Sequence, residues 1–131
     1  NLSDSEWFSR GWTLQELLAP PTVVFADSAW RYIGAKVTSS TPPWVRLIHS
    51  HSIMQGYVFE LSKASGVPHE MLSGDVKLSS VDVETRTSWM QSRNTTRAED
   101  RAYCLLGIFN VYWSPIYGER EHAMVRLKQE I

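Results

Sequence analysis

Trp12-Thr13-Leu14-Gln15-Glu16-Leu17-Leu18-Ala19-Pro20-Pro21-Thr22-Val23-Val24-Phe25-Ala26 sets the class of the fold. Leu14, Leu17 and Leu18 recur at i, i+3 and i+4, the spacing of one helical face. Pro20-Pro21 ends the run, because a proline lacks the amide donor and clashes with the preceding turn. Thr22 to Ala26 is β-branched and aromatic, which predicts a short strand. Asp27-Ser28-Ala29 supplies a turn, and Trp30-Arg31-Tyr32-Ile33-Gly34 resumes extended character. A helix followed by strands predicts an α/β chain. At about 100° per residue, Trp12, Gln15, Glu16 and Ala19 fall opposite the leucines, so an indole shares a face with a carboxylate.

Outward from that segment the signals are local. Thr38 to Pro43 reads as a loop, and Trp44 to Ala64 has a broken helical periodicity with no clear register. Gly66-Val67-Pro68 is a stop and Ser73-Gly74-Asp75 a turn. Ser80 is expected to cap a helix from Val81 to about Ser92. Thr96-Arg97-Ala98-Glu99 fits a capping box, opening a helix whose stripe is Ala98, Ala102, Leu105, Leu106 and Phe109. Tyr117-Gly118-Glu119 turns into a last helix, Glu119 to Ile131, with Ala123, Met124, Leu127 and Ile131 on one side.

Composition bounds the function. The chain has 131 residues, 43% hydrophobic and 21% charged, the balance of an ordinary globular domain. Its 13 basic and 14 acidic side chains leave a formal charge of -1, without the footprint of a nucleic-acid or anionic-membrane binder. The single cysteine, Cys104, excludes an intrachain disulfide and a multi-thiolate metal site and suits a reducing compartment. No apolar run is long enough to span a membrane, and the polar start is neither signal nor transit peptide, so a cytoplasmic location is expected. The chain begins without Met and ends inside an amphipathic pattern, which reads as a piece of a longer protein.

The usual chemical motifs are sparse. The glycines at 11, 34, 56, 66, 74, 107 and 118 never approach a phosphate-cradle spacing. His49-Ser50-His51 brings two imidazoles close, but without a third ligand no metal is expected there. Cys104 reads as a buried apolar side chain, since a nucleophile needs an oriented base. Arg93, Arg97, Glu99, Asp100 and Arg101 could bind an anion, yet such a string more commonly forms solvated pairs and caps. The tryptophans at 7, 12, 30, 44, 89 and 113 read as core or interface anchors. Glu16 is the carboxylate to single out: beside an indole, it is placed either to be protonated by desolvation or to stabilise a cationic transition state.

Two segments carry a family resemblance. Trp7-Phe8-Ser9-Arg10-Gly11-Trp12-Thr13-Leu14-Gln15-Glu16-Leu17-Leu18-Ala19-Pro20 and Thr95-Thr96-Arg97-Ala98-Glu99-Asp100-Arg101-Ala102-Tyr103-Cys104-Leu105-Leu106-Gly107-Ile108-Phe109 closely resemble the fungal heterokaryon-incompatibility (HET) domain. Its W-x-x-I-G-x-K element is met by Trp30, Ile33, Gly34 and Lys36, and its closing motif is approximated from Ile116 to Ile131. Arg120 stands where the family commonly has Gly, Trp113-Ser114-Pro115 replaces the more usual Met-Pro, and Thr38 to Val67 matches weakly.

The resemblance implies one partial HET domain over residues 1–131, whose first strands precede Asn1. Residues 1–36 would form a helix and strand pair, 37–80 a divergent loop and helix region, and 81–131 a helical region. The implied fold is the C-terminal part of a TIR-like (flavodoxin-like) α/β domain, helix-rich with a few short strands. The implied role is vegetative incompatibility in fungi, in which non-self recognition triggers programmed cell death. Ser9 to Leu17 is also similar to the plant-type TIR segment S-x-W-C-x-x-E-L, whose Glu is catalytic in NAD cleavage. That likeness places the catalytic role on Glu16 and a substrate-pocket role on Trp12, with Arg10, Gly11, Thr96, Arg97, Glu99 and Asp100 as structural motif residues. NAD would be a substrate, with no cofactor or metal, and the missing half or a second subunit would complete the pocket, leaving this piece inactive alone. Expected partners are further copies of the chain and other incompatibility or receptor-type signalling proteins. The alternative is a non-enzymatic, self-associating signalling module that tolerates Glu16→Gln.

Overall fold

The computed structural model describes residues 1–48 and 51–131, and the side chains of these apart from 48 and 51–56. The chain is helix-rich with a few short strands, as expected: seven α-helices and one two-stranded antiparallel sheet among the described residues. It divides into two compact units, each built from two stretches: Asn1–Asp4 with Leu17–Lys77, and Ser5–Glu16 with Leu78–Ile131.

The first helix, α1 (Thr13–Leu18), stops before Pro20-Pro21, and its Leu14 and Leu17 are fully buried. In the first unit, β1 (Thr22–Ala26) and β2 (Tyr32–Val37) pair with Val24 opposite Ala35 and Phe25 opposite Gly34. The second strand runs three residues beyond the predicted Gly34. The turn between them is held by Asp27, whose carboxylate accepts from the Ala29 and Arg31 amides at 2.9 and 3.0 Å and from Arg31 Nε at 2.8 Å. The Arg31 bonds hold that carboxyl below the usual carboxylate range.

Three helices follow: α2 (Pro43–Ile48), α3 (His51–Ser65) and α4 (His69–Leu72). Val58, Leu61, Val67 and Leu72 form buried apolar sites in this unit. Helix α3 lies against β2, with the Tyr57 ring filling the space above Gly34 and meeting Phe25 at 5.8 Å. Lys36 is buried as well, and its ammonium donates to the carbonyls of Leu17 (2.7 Å), Leu18 (3.3 Å) and Pro20 (2.7 Å).

The second unit contains α5 (Val83–Ser88), α6 (Asp100–Tyr103) and α7 (His122–Glu130). Helix α5 is shorter than the predicted 81–92. Asp82 caps it in place of Ser80, accepting from the Thr85 amide and hydroxyl at 2.8 Å each, while Ser80 belongs to a preceding 3₁₀ turn.

The predicted capping box does not form. Helix α6 begins at Asp100, Thr95 rather than Thr96 makes the local side-chain bond, to the Arg97 carbonyl, and the Glu99 carboxylate is engaged elsewhere. The long stripe predicted from Ala98 to Phe109 is therefore broken into α6 and a 3₁₀ turn, Gly107–Phe109, although Ala102, Leu105 and Leu106 remain buried. The last helix starts at His122, not Glu119, because Gly118 and Arg120 adopt left-handed φ values of 110° and 51°. Of the six tryptophans only Trp89 is fully buried, whereas Trp30 is 90% exposed.

Candidate functional site

The strongest site candidate from sequence, residues 10 to 16, lies within the second unit. There the backbone of Arg10 bridges that of Asn94 in parallel: the Asn94 amide donates to the Ser9 carbonyl (2.7 Å) and the Gly11 amide to the Asn94 carbonyl (2.9 Å). Gly11 faces inward at this bridge. A Cβ there would come within 2.5 Å of Thr95 Cγ2 and 3.1 Å of Cys104 Sγ, so only glycine lets the two segments approach.

Behind the bridge is a node that the sequence did not announce. Arg93 is completely buried, and its guanidinium donates to the Arg10 carbonyl (3.0 Å), the Thr13 hydroxyl (2.9 Å) and the Trp89 carbonyl (3.3 Å). Thr13 Oγ1 in turn lies 2.6 and 2.7 Å from the carbonyls of Trp7 and Arg10. Burial pulls the Arg93 pKa below its usual value, against a raising contribution from Cys104. The hydrogen-bonded carbonyls and hydroxyl offset part of that desolvation cost. Arg101 continues outward, donating to the carbonyls of Arg93 (3.0 Å) and Met90 (3.3 Å).

Helix α1 has its facing fixed by the same unit. Gln15, predicted on the outer face, turns its amide inward and donates to the carbonyls of Tyr103 (3.1 Å) and Cys104 (2.7 Å). Glu16 and Trp12 are left on the exposed side, with Trp12 38% exposed. The Glu16 amide donates to the Trp12 carbonyl at 3.4 Å, a one-turn separation that places indole and carboxylate on one face, as the spacing predicts. An exposed carboxylate next to a flat indole can stabilise a cationic centre in a ligand that stacks on the ring.

The charged string of residues 93–101 is not a solvated face: Arg93, Glu99 and Asp100 are all buried. Glu99 Oε1 accepts from the amides of Gly118 (2.7 Å) and Arg120 (3.1 Å). Its own backbone amide, then the Gly118 and Arg120 amides and nearby Arg97, hold its carboxyl below the ordinary range against burial.

Asp100 accepts from the Tyr117 hydroxyl (2.9 Å), and Arg97 lies over the Tyr117 ring at 4.5 Å. The Tyr103 hydroxyl accepts the Ile116 amide (2.8 Å) and lies 2.6 Å from Glu119, which also pairs with Arg126 at 2.6 Å. Glu99, Asp100 and Tyr103 thus clamp the loop that leads into α7. Thr96 is exposed and does not act as the predicted cap.

Cys104 is fully buried, and burial pushes its thiol up to about 12, a side chain packed out of reach of chemistry. The pair His49 and His51 lies outside the described residues and side chains. Among the described residues no group of three or more His, Cys, Asp or Glu is placed to hold a metal, and no helix is long and apolar enough to cross a membrane. Sequence reasoning took Arg93 for part of a solvated string and missed the roles of Thr13 and Gln15. The available signal was their position: Thr13 and Gln15 flank the buried Leu14, so neither is far from the core side.

The chain is 42% identical over 127 residues to the vegetative incompatibility protein HET-E-1 of Podospora anserina, an alignment covering 96% of the chain and 8% of that protein. The chain therefore spans about 8% of the length of the curated relative it matches, and it is homologous to that segment of a vegetative incompatibility protein. No family model and no solved structure matches it.

Proposed function

We propose that the chain is the C-terminal part of a HET domain and serves as a cell-death effector in fungal vegetative incompatibility, acting through the Trp12–Glu16 face by TIR-like cleavage of NAD. The homology to an incompatibility protein supports the biological role. The likeness of Ser9–Leu17 to the catalytic segment of plant-type TIR domains supports the chemistry.

One observation carries the site: along residues 10 to 16 the side chains of Thr13 and Gln15 are committed to internal hydrogen bonds, while Trp12 and Glu16 are turned outward together. In the proposed reaction the bond between nicotinamide and ribose breaks, nicotinamide leaves with the bonding pair, and the ribose carbon develops oxocarbenium character. The Glu16 carboxylate stabilises that cation, water adds to it, and the products are nicotinamide, ADP-ribose and a proton. Trp12 stacks on a planar ring of the substrate. Trp12 and Glu16 are exposed in this chain, so a further surface, from a second copy or another segment of the full protein, supplies the dry wall that strengthens the electrostatics.

Chromatographic detection of nicotinamide released from NAD by the full-length protein that contains this segment, beside its Glu16→Gln variant, tests this reading. The expected result is release that disappears in the variant, with both proteins equally folded because Glu16 is exposed. Exposure of the Trp12 indole favours a second reading, a self-associating module without chemistry, in which Glu16→Gln changes nothing.

A further inference from the structure

Arg10 is a fixed backbone with an uncommitted side chain. Its carbonyl accepts from Arg93 Nη1 (3.0 Å) and lies 2.7 Å from the Thr13 hydroxyl, its amide donates to Trp7, and the bridge to Asn94 sets its direction. Paired residues of a bridge project to the same side. Gly11 next to it faces the interior against Thr95 and Cys104, so Arg10 and Asn94 share the outward side, and both are exposed.

The other guanidinium groups of this unit are mostly spent. Arg86 is on the Ile108 carbonyl and the Phe109 ring, Arg93 on the node described above, and Arg101 on two carbonyls. Arg97 lies on the Tyr117 ring, and Arg126 on Glu119 and Trp113. Arg10 has no hydrogen bond, ion pair or ring contact through its side chain among the described residues, and Arg120, on the clamped loop, is the other such arginine of the unit.

We infer that Arg10, with the Asn94 carboxamide beside it, is the phosphate-recognition point of the Trp12–Glu16 face, which therefore takes a phosphate-bearing nucleotide rather than a neutral nucleoside. The inference rests on the reading of that face given above. A guanidinium offers two parallel donors to a phosphate, and a carboxamide adds a third without bringing a repelling charge. Arg10 precedes Trp12 by two residues and Glu16 by six, so one short segment presents a donor for phosphate, a surface for a planar ring and a carboxylate for a glycosidic carbon. The Arg93–Thr13 node holds the Arg10 backbone in place before any ligand arrives, which removes part of the ordering cost of binding.

The test is calorimetric titration of the chain with ADP-ribose, NAD and nicotinamide riboside at low and high salt, in the wild type, Arg10→Ala, Arg10→Lys and Asn94→Ala. ADP-ribose and NAD should bind, and bind more weakly as salt rises, while nicotinamide riboside binds poorly. Arg10→Ala should weaken ADP-ribose about tenfold and flatten the salt dependence, with Arg10→Lys between the two. Thermal melts should be unchanged, because the side chain is exposed.

Equal ADP-ribose affinity in the wild type and Arg10→Ala, or no ADP-ribose binding by the wild type at millimolar concentration, overturns the inference. If ADP-ribose binding depends on Arg10 but nicotinamide is never released from NAD, the phosphate site stands and the enzymatic reading falls. If nicotinamide is released with the same KM in the wild type and Arg10→Ala, the enzymatic reading stands and the phosphate site falls.

Discussion

Among the described residues each unit buries one basic side chain on backbone carbonyls, and the two use different chemistry. In the first unit the Lys36 ammonium gathers the carbonyls of Leu17, Leu18 and Pro20 at the end of α1, where the helix leaves acceptors unpaired and the dipole is negative. In the second, the Arg93 guanidinium spans the Arg10 carbonyl, the Thr13 hydroxyl and the Trp89 carbonyl, joining residues 10–13 to the turn that begins at Trp89. Burial brings Lys36 down to about 8, within reach of ordinary alkaline buffers, whereas a guanidinium keeps its proton throughout that range even when burial lowers it. A lysine serves where one helix end needs a compact cap, and an arginine where a planar fork must tie distant segments permanently.

The most forceful way to break this comparison is Arg93→Met, which removes the fork and leaves buried acceptors without a donor. The second unit should lose about 3–5 kcal/mol, and Arg93→Lys should recover little, because one ammonium cannot span the same acceptors. Urea unfolding followed by fluorescence of Trp89, buried in that unit, measures both. A lysine variant as stable as the wild type would erase the proposed difference between the two cations.

A smaller change is expected at Lys36. Lys36→Met should cost the first unit about 1–3 kcal/mol, the penalty for leaving acceptors unmade. The pH profile identifies the group. Its folded value of about 8 lies below the ordinary 10.5, so between those values the unfolded chain holds a proton that the folded chain has shed. Stability should therefore rise as pH increases from about 8 toward 10. Above that, the Tyr57 phenol, pushed up to about 12 by burial and then by Tyr32, contributes with the opposite sign. In Lys36→Met the rise should vanish, and its persistence in urea midpoints taken across this range would place the titration elsewhere.

Arg120→Gly sharpens the comparison at the smallest scale. Arg120 holds φ 51° on the loop clamped by Glu99, a conformation costly for a side chain with a Cβ. Glycine, which adopts a positive φ without that penalty, should raise the stability of the second unit by about 0.5–1 kcal/mol, read as a higher melting temperature. A lower melting temperature would mean that the Arg120 side chain contributes more than its backbone conformation costs.

Local features of the fold were legible in the sequence. The leucine spacing, the double proline and the β-branched run located α1 and β1, and the Asp27 turn and the stop at Gly66 fell where the turn-forming residues stand. What failed was long range. Thr96 and Glu99 have the spacing of a capping box, but the Glu99 carboxylate accepts instead from two amides 19 and 21 residues away, at Gly118 and Arg120. Periodicity carries no record of that competition.

Arg93 read as a surface charge for the same reason, since its acceptors at Arg10 and Thr13 are about eighty positions upstream. The shared face of Trp12 and Glu16 was legible because it depends only on helical spacing, whereas the inward turn of Gln15 depends on carbonyls at Tyr103 and Cys104.

Nicotinamide release by the full-length protein that contains this segment and by its Glu16→Gln variant, measured beside their thermal melts, tests the central claim most directly: the motif interior is scaffold and its outward carboxylate acts. The expected result is two coincident melting curves with nicotinamide produced by the wild type alone. Release that persists in Glu16→Gln, or a folded wild type that releases none, would contradict it.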